Sequence, residues 1–275
     1  MNTNIKEVFK TTNNYIVLAT PLILYSLFSN VYAAISANGK LISIIFAIIL
    51  LTLMSAAFIA GWFKMVKEAI NDSYSENPNL LIKDFLSGVG EYFIPSTGVV
   101  IIISLFSILA LIGAFLVGHN LIGDIGITVE QLNNAMSSSE ELKLFISSLS
   151  DVQYIRISQW NLLILSTMSL VYFLLIFYLP ALFYKNKNPF LALFIGIKDL
   201  FTRKIFFIFF LTLSALFFYL FLSMLSAVTM HNLILHFIVT LLNFYFIIWI
   251  SVYIFSFYNN NFVKSHLGQN VDTFV

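Results

Sequence analysis

Three of the four histidines are the residues best suited to proton or metal chemistry. His119, His231 and His236 fall near the ends of long apolar segments, and imidazoles grouped on one face would suggest a metal or proton site. However, His231 and His236 are five residues apart, which places them on different faces of a continuous helix. No carboxylate lies beside them in the sequence. We therefore interpret them as unrelated interfacial histidines and predict no metal site.

Amides and hydroxyls are the other polar groups in or near the apolar segments. They are Asn14, Asn30, Asn161, Asn243, Ser166, Thr167, Ser214 and Thr240. One hypothesis is that these groups line a path for a neutral or amphipathic solute. The alternative is that most of them bond across helices or to the main chain, as such groups commonly do in membranes.

No arrangement of residues typical of an enzyme is present. The sequence has no Ser-His-Asp ordering, no carboxylate pair at catalytic spacing, no glycine-rich phosphate loop and no His-Glu-x-x-His motif. It has no cysteine, which excludes disulfides, thiolate catalysis and zinc–thiolate sites. We predict that the protein is not an enzyme, and we assign no catalytic, cofactor-binding or metal-binding residue and no cofactor.

The composition is that of a membrane protein. Hydrophobic residues make up 60% and charged residues 10% of the 275 residues, against roughly 45–50% and about 25% in soluble domains. The formal net charge of +1 gives no general attraction to nucleic acid. The partner that this composition predicts is the lipid bilayer.

Six segments are long and apolar enough to cross a bilayer as helices, which takes roughly 20 residues each. They are Tyr15–Ala34, Leu41–Phe63, Thr97–Val117, Trp160–Tyr184, Ile205–Met230 and Leu233–Phe257. None contains Asp, Glu, Lys or Arg in its interior, which weighs against a conventional proton-coupled pump. The sequence predicts an all-α membrane protein with six transmembrane helices, in which residues 1–275 form a single polytopic membrane domain.

Basic residues fall in alternate gaps between these segments. Eleven lie at the termini and in the second and fourth gaps: Lys6, Lys10, Lys64, Lys67, Lys83, Lys185, Lys187, Lys198, Arg203, Lys204 and Lys264. The other three are Lys40, Lys143 and Arg156. Because basic loops stay in the cytoplasm, the distribution predicts a multi-pass protein of the cell membrane with both termini cytoplasmic.

The first apolar segment has an alternative interpretation as a signal peptide. Lys6, Lys10 and the apolar stretch lead to a small-residue site at Val31-Tyr32-Ala33, as in a cleaved leader. The stretch is longer than the roughly 7–15 apolar residues usual there. We therefore favour a retained span, and the other five spans have the same orientation in either case.

The second and fourth gaps open in the same way. Each begins with an Asn-Pro pair and continues into an amphipathic stretch with a Lys-Asp step: Asn77-Pro78 and Lys83-Asp84 in one, Asn188-Pro189 and Lys198-Asp199 in the other. Asn is a favoured N-cap and Pro a favoured first helical residue. We predict two cytoplasmic amphipathic elbow helices, the first elbow and the second elbow, that lie in the interface and meet anionic lipids.

Span, elbow and span thus occur twice, each time from the cytoplasmic side. This order suggests a parallel internal repeat about an axis normal to the membrane. The Lys-Asp steps lie at different offsets from their Asn-Pro pairs, so chance similarity between apolar sequences is the alternative.

The third gap, residues 118–159, is the largest stretch predicted outside the membrane on the other side. Thr128-Val-Glu-Gln131 and Ser138-Ser-Glu-Glu141 match capping boxes, and an apolar stripe at helical spacing follows from Leu142 to Leu149. We predict an extracytoplasmic helical hairpin insertion that rests on the bundle or the headgroups. A lid over a cavity or a partner-docking hairpin is the alternative.

Small residues and prolines predict local packing within the spans. Two overlapping small-xxx-small pairs in the second span permit close helix approach, within the bundle rather than between copies: Ala56, Ala57, Ala60 and Gly61. Pro21 and Pro180 predict kinks in the first and fourth spans, which are either ordinary or turn free carbonyl groups toward a cavity.

Two stretches resemble a known family. The run Ala60–Lys67, the first elbow and the segment from Gly88 to Pro95 look like the uncharacterised polytopic membrane family named domain of unknown function 4013. The run Leu179–Leu182, the second elbow and Arg203-Lys204 are similar to the second half of that family. Related patterns occur in the membrane domain attached to some glycerophosphodiester phosphodiesterases. This chain departs from the family by its long third gap, and the resemblance implies a fold but no catalytic residue.

Three classes of function follow. The favoured one is an integral membrane protein that binds or moves a lipid or small amphipathic solute without catalysis, in a cavity between the repeat halves. The alternative is a membrane scaffold that docks partners through its elbows and outer hairpin. A lipid-modifying enzyme is the weakest, because clustered acids, histidines and metal ligands are lacking.

Overall fold

The computed structural model describes residues 5–36, 41–74, 76–135, 139–202, 204–229 and 232–264. Within these residues all regular structure is helical, which confirms the all-α prediction. The helices are α1 (Ile5–Asn14), α2 (Ala19–Ser36), α3 (Leu41–Ile70), α4 (Lys83–Leu121), α5 (Val129–Ala135), α6 (Ser139–Ser148), α7 (Asp151–Leu174), α8 (Tyr178–Tyr184), α9 (Pro189–Leu200), α10 (Ile205–Thr229) and α11 (Leu233–Tyr258). Short 3₁₀ turns at Ile16–Leu18 and Pro78–Ile82 precede α2 and α4, and a π-helical turn at Asn259–Val263 follows α11.

Among the described residues, five helical segments are long and apolar enough to cross a membrane. They are Ile42–Ile70, Pro78–Leu121, Asp151–Tyr184, Ile205–Ser226 and Leu233–Val263, and each overlaps one of the last five predicted spans. The apolar helix at the first predicted span, Ile16–Ser29, is shorter than the roughly 20 residues that a crossing takes. The chain is therefore a multi-pass integral membrane protein, and the sixth span stays a prediction.

The Cα positions divide the chain into two compact units. Residues 1–103 and 173–275 form the first unit, and residues 104–172 form the second. In the first unit α2 and α11 pack on α3, α1 and α10 pack on α11, and α8 packs on α9. Stacked rings fill these contacts, such as Phe63 on Phe255, whose ring centroids are 5.0 Å apart.

Small residues bring α4 against α3 in the first unit. A Cβ atom on Gly88 would lie 2.6 Å from the carbonyl oxygen of Ala60 and 3.0 Å from the Cα atom of Gly61. The ring of Phe85 occupies the space beside Gly61, where a Cβ would meet it at 2.5 Å. The predicted close approach is thus confirmed as a contact within the chain.

The first elbow is not a separate helix. Its first residues form the 3₁₀ turn at Pro78–Ile82, and α4 then runs without interruption from Lys83 to Leu121, through Pro95. The third predicted span, in contrast, began only at Thr97. A proline inside a helix removes one hydrogen bond, but ending the helix in lipid would leave several main-chain groups unpaired, which favours continuation.

The second elbow, in contrast, corresponds to a separate helix, α9. The Oδ1 atom of Asn188 accepts the main-chain N–H groups of Phe190 and Leu191, at 3.0 and 3.3 Å, which confirms the predicted N-cap. Asn77 makes no side-chain cap bond at the first elbow.

The fourth predicted span is interrupted rather than kinked at Pro180. Helix α7 ends at Leu174 and α8 begins at Tyr178, so Pro180 is the third residue of a new helix. The first N–H groups of a helix have no partner within it, and Pro180 therefore removes no helical hydrogen bond.

The second unit contains the short helices α5 and α6, which pack on each other. Thr128 and Gln131 form the predicted capping box, with the Gln131 side chain accepting Thr128 N–H at 2.9 Å and Thr128 Oγ1 accepting Gln131 N–H at 3.2 Å. Ser138 of the second predicted box lies outside the described residues. Ser150 and Gln153 form a further box that matches the same motif and was missed in the sequence.

Candidate functional site

A groove of about 570 Å³ opens on the first unit. We term it the lysine groove, after its one charged lining residue. Its lining comes from α3, α4 and the start of α9: Leu53, Phe93, Ile94, Pro95, Thr97, Gly98, Lys187 and Pro189. All of these except Thr97 and Lys187 are apolar, so the groove presents one ammonium group beside a hydrocarbon wall.

The cap at Asn188 and a close contact at Gly98 position Lys187. Lys187 and Pro189 flank the capping residue, which fixes the main chain between them. The ring of Pro189 lies against α4, where a Cβ atom on Gly98 would be only 2.7 Å from its Cγ atom. Glycine at this position therefore allows the start of α9 to approach α4 and form the groove.

Lys187 belongs to a cluster of four charged side chains, which we term the charge cluster: Lys64, Glu68, Glu91 and Lys187. Glu91 bridges two lysines, because its Oε1 lies 2.7 Å from Lys187 Nζ and its Oε2 lies 3.3 Å from Lys64 Nζ. Lys64 also pairs with Glu68, one helical turn along α3, at 3.3 Å. The Lys187 side chain is 55% exposed and that of Lys64 16%, so Lys187 is the ammonium group open to a ligand.

Lys67 adds a further positive charge beside this cluster. Its ammonium group donates to the main-chain oxygen of Phe183 at 2.9 Å and lies 5.4 Å from the ring centroid of Tyr184, within the range of a cation–π contact. It forms no ion pair with a carboxylate among the described residues. The region therefore holds three ammonium groups, the paired carboxylates of Glu68 and Glu91, and the carboxylate of Asp84, which interacts with Lys64 and Glu68.

The Lys-Asp steps of the two elbows have different roles. Asp199 accepts from Lys185 Nζ at 2.7 Å and from the Tyr258 hydroxyl at 2.5 Å, and so fixes α9 to α8 and α11. Asp84 instead keeps one buried carboxylate oxygen without a partner in the described part of the chain. A hydrogen bond to Asp84 raises the pKa of Tyr74.

The predicted histidines do not form a common site in what the structure describes. His119 belongs to the second unit, whereas His236 of the first unit lies 3.2 Å from the main-chain oxygen of Ser226 and joins α10 to α11. His231 lies outside the described residues. No group of three or more histidines and carboxylates that could hold a metal occurs in the ranges given above.

The polar residues predicted to line a path are scattered and do not line the lysine groove. Thr240 donates to the His236 carbonyl at 2.8 Å, within its own helix, and the Asn243 side-chain oxygen is buried without a partner in the described chain. Asn161 lines a groove of the second unit. The others carry no contact that relates them to a site: Asn14, Ser166 and Ser214 are exposed, Thr167 is half-buried, and the side chain of Asn30 lies outside the described residues.

Nothing in the sequence pattern singled out Glu91, which organises the charge cluster. The available signal was that Glu91 and Lys64 both lie close to predicted cytoplasmic span ends, where an unpaired charge would be costly near lipid.

Comparison with protein-family models, with curated proteins and with solved structures found no match. The resemblance to the family named domain of unknown function 4013 therefore stays a prediction.

Proposed function

We propose that the protein binds a lipid or small amphipathic solute in the lysine groove and does so without catalysis. The observation that carries this proposal is the pairing of an apolar groove with one accessible ammonium group at its rim. A volume of about 570 Å³ lies within the roughly 300–1,000 Å³ of small-molecule sites.

The sharing of one carboxylate between two lysines favours an anionic head group. Glu91 is the only ion-pair partner of Lys187 among the described residues, and it also pairs with Lys64. An anionic head group would bind the exposed side of the Lys187 ammonium group, which also pairs with Glu91. Glu91 would keep its second ion pair, with Lys64. The apolar part of the ligand would lie against Leu53 and against Ile94, whose side chain is 83% exposed.

The proposed setting is the cytoplasmic side of the cell membrane, with six spans and both termini in the cytoplasm. Phe190, Phe194 and Phe201 are all exposed on or just after α9, as expected for a helix whose apolar face rests in the interface. We propose that the first elbow meets the interface as the cytoplasmic end of the continuous helix α4. Basic residues of both elbows would then meet anionic lipids of the inner leaflet.

A glycine contact in each half supports the proposed repeat. Gly88, near the start of α4, approaches the main chain of α3 at Ala60. Gly196, on α9, approaches the main chain at Phe177, where a Cβ atom added to Gly196 would lie 3.0 Å from the carbonyl group. Each elbow segment therefore crosses the span that precedes it through a glycine.

Lipid retention tests the proposed function. The purified full-length protein is titrated with phosphatidylglycerol or phosphatidylcholine in detergent and analysed by native mass spectrometry. Lys187→Glu is expected to reduce phosphatidylglycerol binding by about 10-fold, because a charged hydrogen bond is replaced by repulsion. Lys10→Glu, at an exposed lysine of α1 that lies outside both elbows and outside the groove, is the matched control. Equal binding of phosphatidylglycerol by the wild type and Lys187→Glu would contradict the proposal.

Single cysteines test the proposed orientation. The native chain has no cysteine, so Lys83→Cys, Lys198→Cys and Ser139→Cys can be probed with an impermeant thiol reagent in intact cells. Labelling of Ser139→Cys alone is expected. Labelling of the two elbow positions without Ser139→Cys would reverse the orientation.

A further inference from the structure

The loop between α4 and α5, in the second unit, has a shape fixed by three side chains of α7. Gln153 and Trp160 donate to the main-chain oxygens of Gly126 and Gly123, at 3.3 and 3.1 Å. Arg156, between them on the same helical face, donates to the main-chain oxygen of Asp124. Their spacing of three and four residues places all three on one side of the helix.

The loop itself is shaped for this contact. Gly123 and Gly126 have φ angles of +80° and +71°, a left-handed conformation that glycine adopts without strain. Between them, Asp124 Oδ1 accepts the N–H group of Gly126 at 3.2 Å. The carboxylate of Asp124 is thereby held at a defined position beside α7.

A second groove of about 570 Å³ lies next to this carboxylate. We term it the tryptophan groove, and its walls include Phe115, Asp124, Trp160 and Ile164. The ring centroids of Phe115 and Trp160 are 5.9 Å apart. The Trp160 ring rests in the space beside Gly118, where a Cβ atom would be only 2.5 Å from it, so the ring has little freedom to move.

The groove is apolar at one end and is lined by the carboxylate residue Asp124 at the other. Phe115 and Ile164 lie inside predicted spans, whereas Asp124 follows the end of α4. The carboxylate forms no ion pair with a basic side chain of the described residues, because Arg156 is directed to the main-chain oxygen instead. A carboxylate beside two aromatic rings is an arrangement that attracts ammonium groups, through charge and through the faces of the rings.

We propose that the tryptophan groove binds a lipid-like amphipath with an ammonium head, either a protonated amine or a quaternary ammonium. The head lies between Asp124 and the rings of Phe115 and Trp160, and the tail extends along Ile164. This site is independent of the lysine groove, which lies wholly in the first unit and favours the opposite charge.

Photo-crosslinking tests this site. The full chain, purified in maltoside detergent, is irradiated with a decyltrimethylammonium analogue that carries a diazirine in its chain, and labelled peptides are mapped by mass spectrometry. Labelling is expected on α4 near Phe115 and on α7 near Ile164. Asp124→Asn is expected to reduce it by about 5-fold or more, because it removes the charge while keeping the shape. Glu130→Gln, an exposed acid of α5, should label like the wild type.

Competition identifies the chemistry recognised. Unlabelled decyltrimethylammonium should compete, decyl sulfate should not, and tetramethylammonium should compete about 10-fold more weakly or worse because it lacks the apolar tail. Unchanged labelling of Asp124→Asn, or equal competition by decyl sulfate, would overturn the proposal. Equal competition by tetramethylammonium would overturn the amphipath as the ligand.

A second variant keeps the test decisive if Asp124→Asn fails to fold, as judged by its thermal unfolding. Phe115→Leu retains the carboxylate and removes one ring, and it is expected to weaken labelling by about 3-fold or more. Wild-type labelling of a folded Phe115→Leu variant would contradict the proposed head-group position. Because the lysine groove is tested with phosphatidylglycerol and Lys187→Glu, either proposal can fail without the other.

Discussion

The ammonium group of Lys67, on α3, donates a 2.9 Å hydrogen bond to the main-chain oxygen of Phe183, on α8, which lies 116 residues further along the chain. Lys67, which served in the sequence to predict membrane orientation, thus also links two helices through a hydrogen bond. The carbonyl that it satisfies belongs to a residue that is only 2% exposed. Loss of this donor would leave a polar group buried without a partner.

Replacing Lys67 by methionine is therefore expected to lower the free energy of unfolding by about 1–3 kcal/mol. The melting temperature in detergent, followed by tryptophan fluorescence, should fall by about 2–4 °C for each kcal/mol. Lys67→Arg keeps a donor and should recover part of the loss. Lys198→Met, at an exposed lysine, serves as the control. A melting temperature for Lys67→Met equal to that of the control would show that the bond contributes nothing.

Two glycines two residues apart on α4 should respond oppositely to alanine. Gly88→Ala places a Cβ atom 2.6 Å from the Ala60 carbonyl oxygen, and this overpacking is expected to destabilise by about 1–3 kcal/mol. Gly90 has nothing within 4 Å of such an atom, so Gly90→Ala should stabilise by up to about 1 kcal/mol through helix propensity. Thermal unfolding of both variants measures the difference, and a shift of equal sign in both would argue against the α3–α4 crossing.

The two Asn-Pro pairs give a further matched test. Asn188→Ala removes a side chain that accepts from two N–H groups and should cost about 0.5–2 kcal/mol of stability. Asn77→Ala removes no such bond, and its effect should be smaller. Because Asn188 also positions Lys187, Asn188→Ala should weaken phosphatidylglycerol binding, whereas Asn77→Ala should not. The reverse order of effects would contradict the capping assignment.

The N-terminal segment should be retained in the membrane protein. The rings of Phe9 and Trp249 are in contact, with centroids 5.5 Å apart. Tyr15 donates to Asp72 at 2.7 Å, and Trp62 donates to the Leu18 carbonyl at 2.9 Å. Cleavage near Ala33 would remove all three contacts. Intact-mass analysis is expected to find the segment present. Cleavage would be established instead if the wild-type protein lacked this segment and the Ala33→Trp variant, in which the small residue of the cleavage site is replaced, kept it.

Local patterns predicted the parts of the fold that depend on nearby residues. Run length and polarity located the last five spans, and the capping preferences of Asn188 and Thr128 appear in the structure as predicted. Each of these features depends on residues only a few positions apart, which a sequence pattern can express.

The remaining features depend on residues that are distant in sequence. Continuation of α4 through Pro95 reflects the cost of unpaired main-chain groups in lipid rather than the preference of one residue. Glu91 joins Lys64 and Lys187 from three different segments, and no spacing rule connects them. Likewise, no prediction covered α1, which buries Val8 and Thr12 and packs on α11.

The contact between α1 and α11 has a consequence for the order in which the protein matures. Tyr245 donates to Asn13 across 232 residues, so α1 cannot reach this partner until the residues between them have left the ribosome. At about 5–20 residues per second, that delay is on the order of 10–50 s. During this interval α1 lacks its packing partner α11. Packing of α1 on α11 is therefore among the last contacts of the first unit to form.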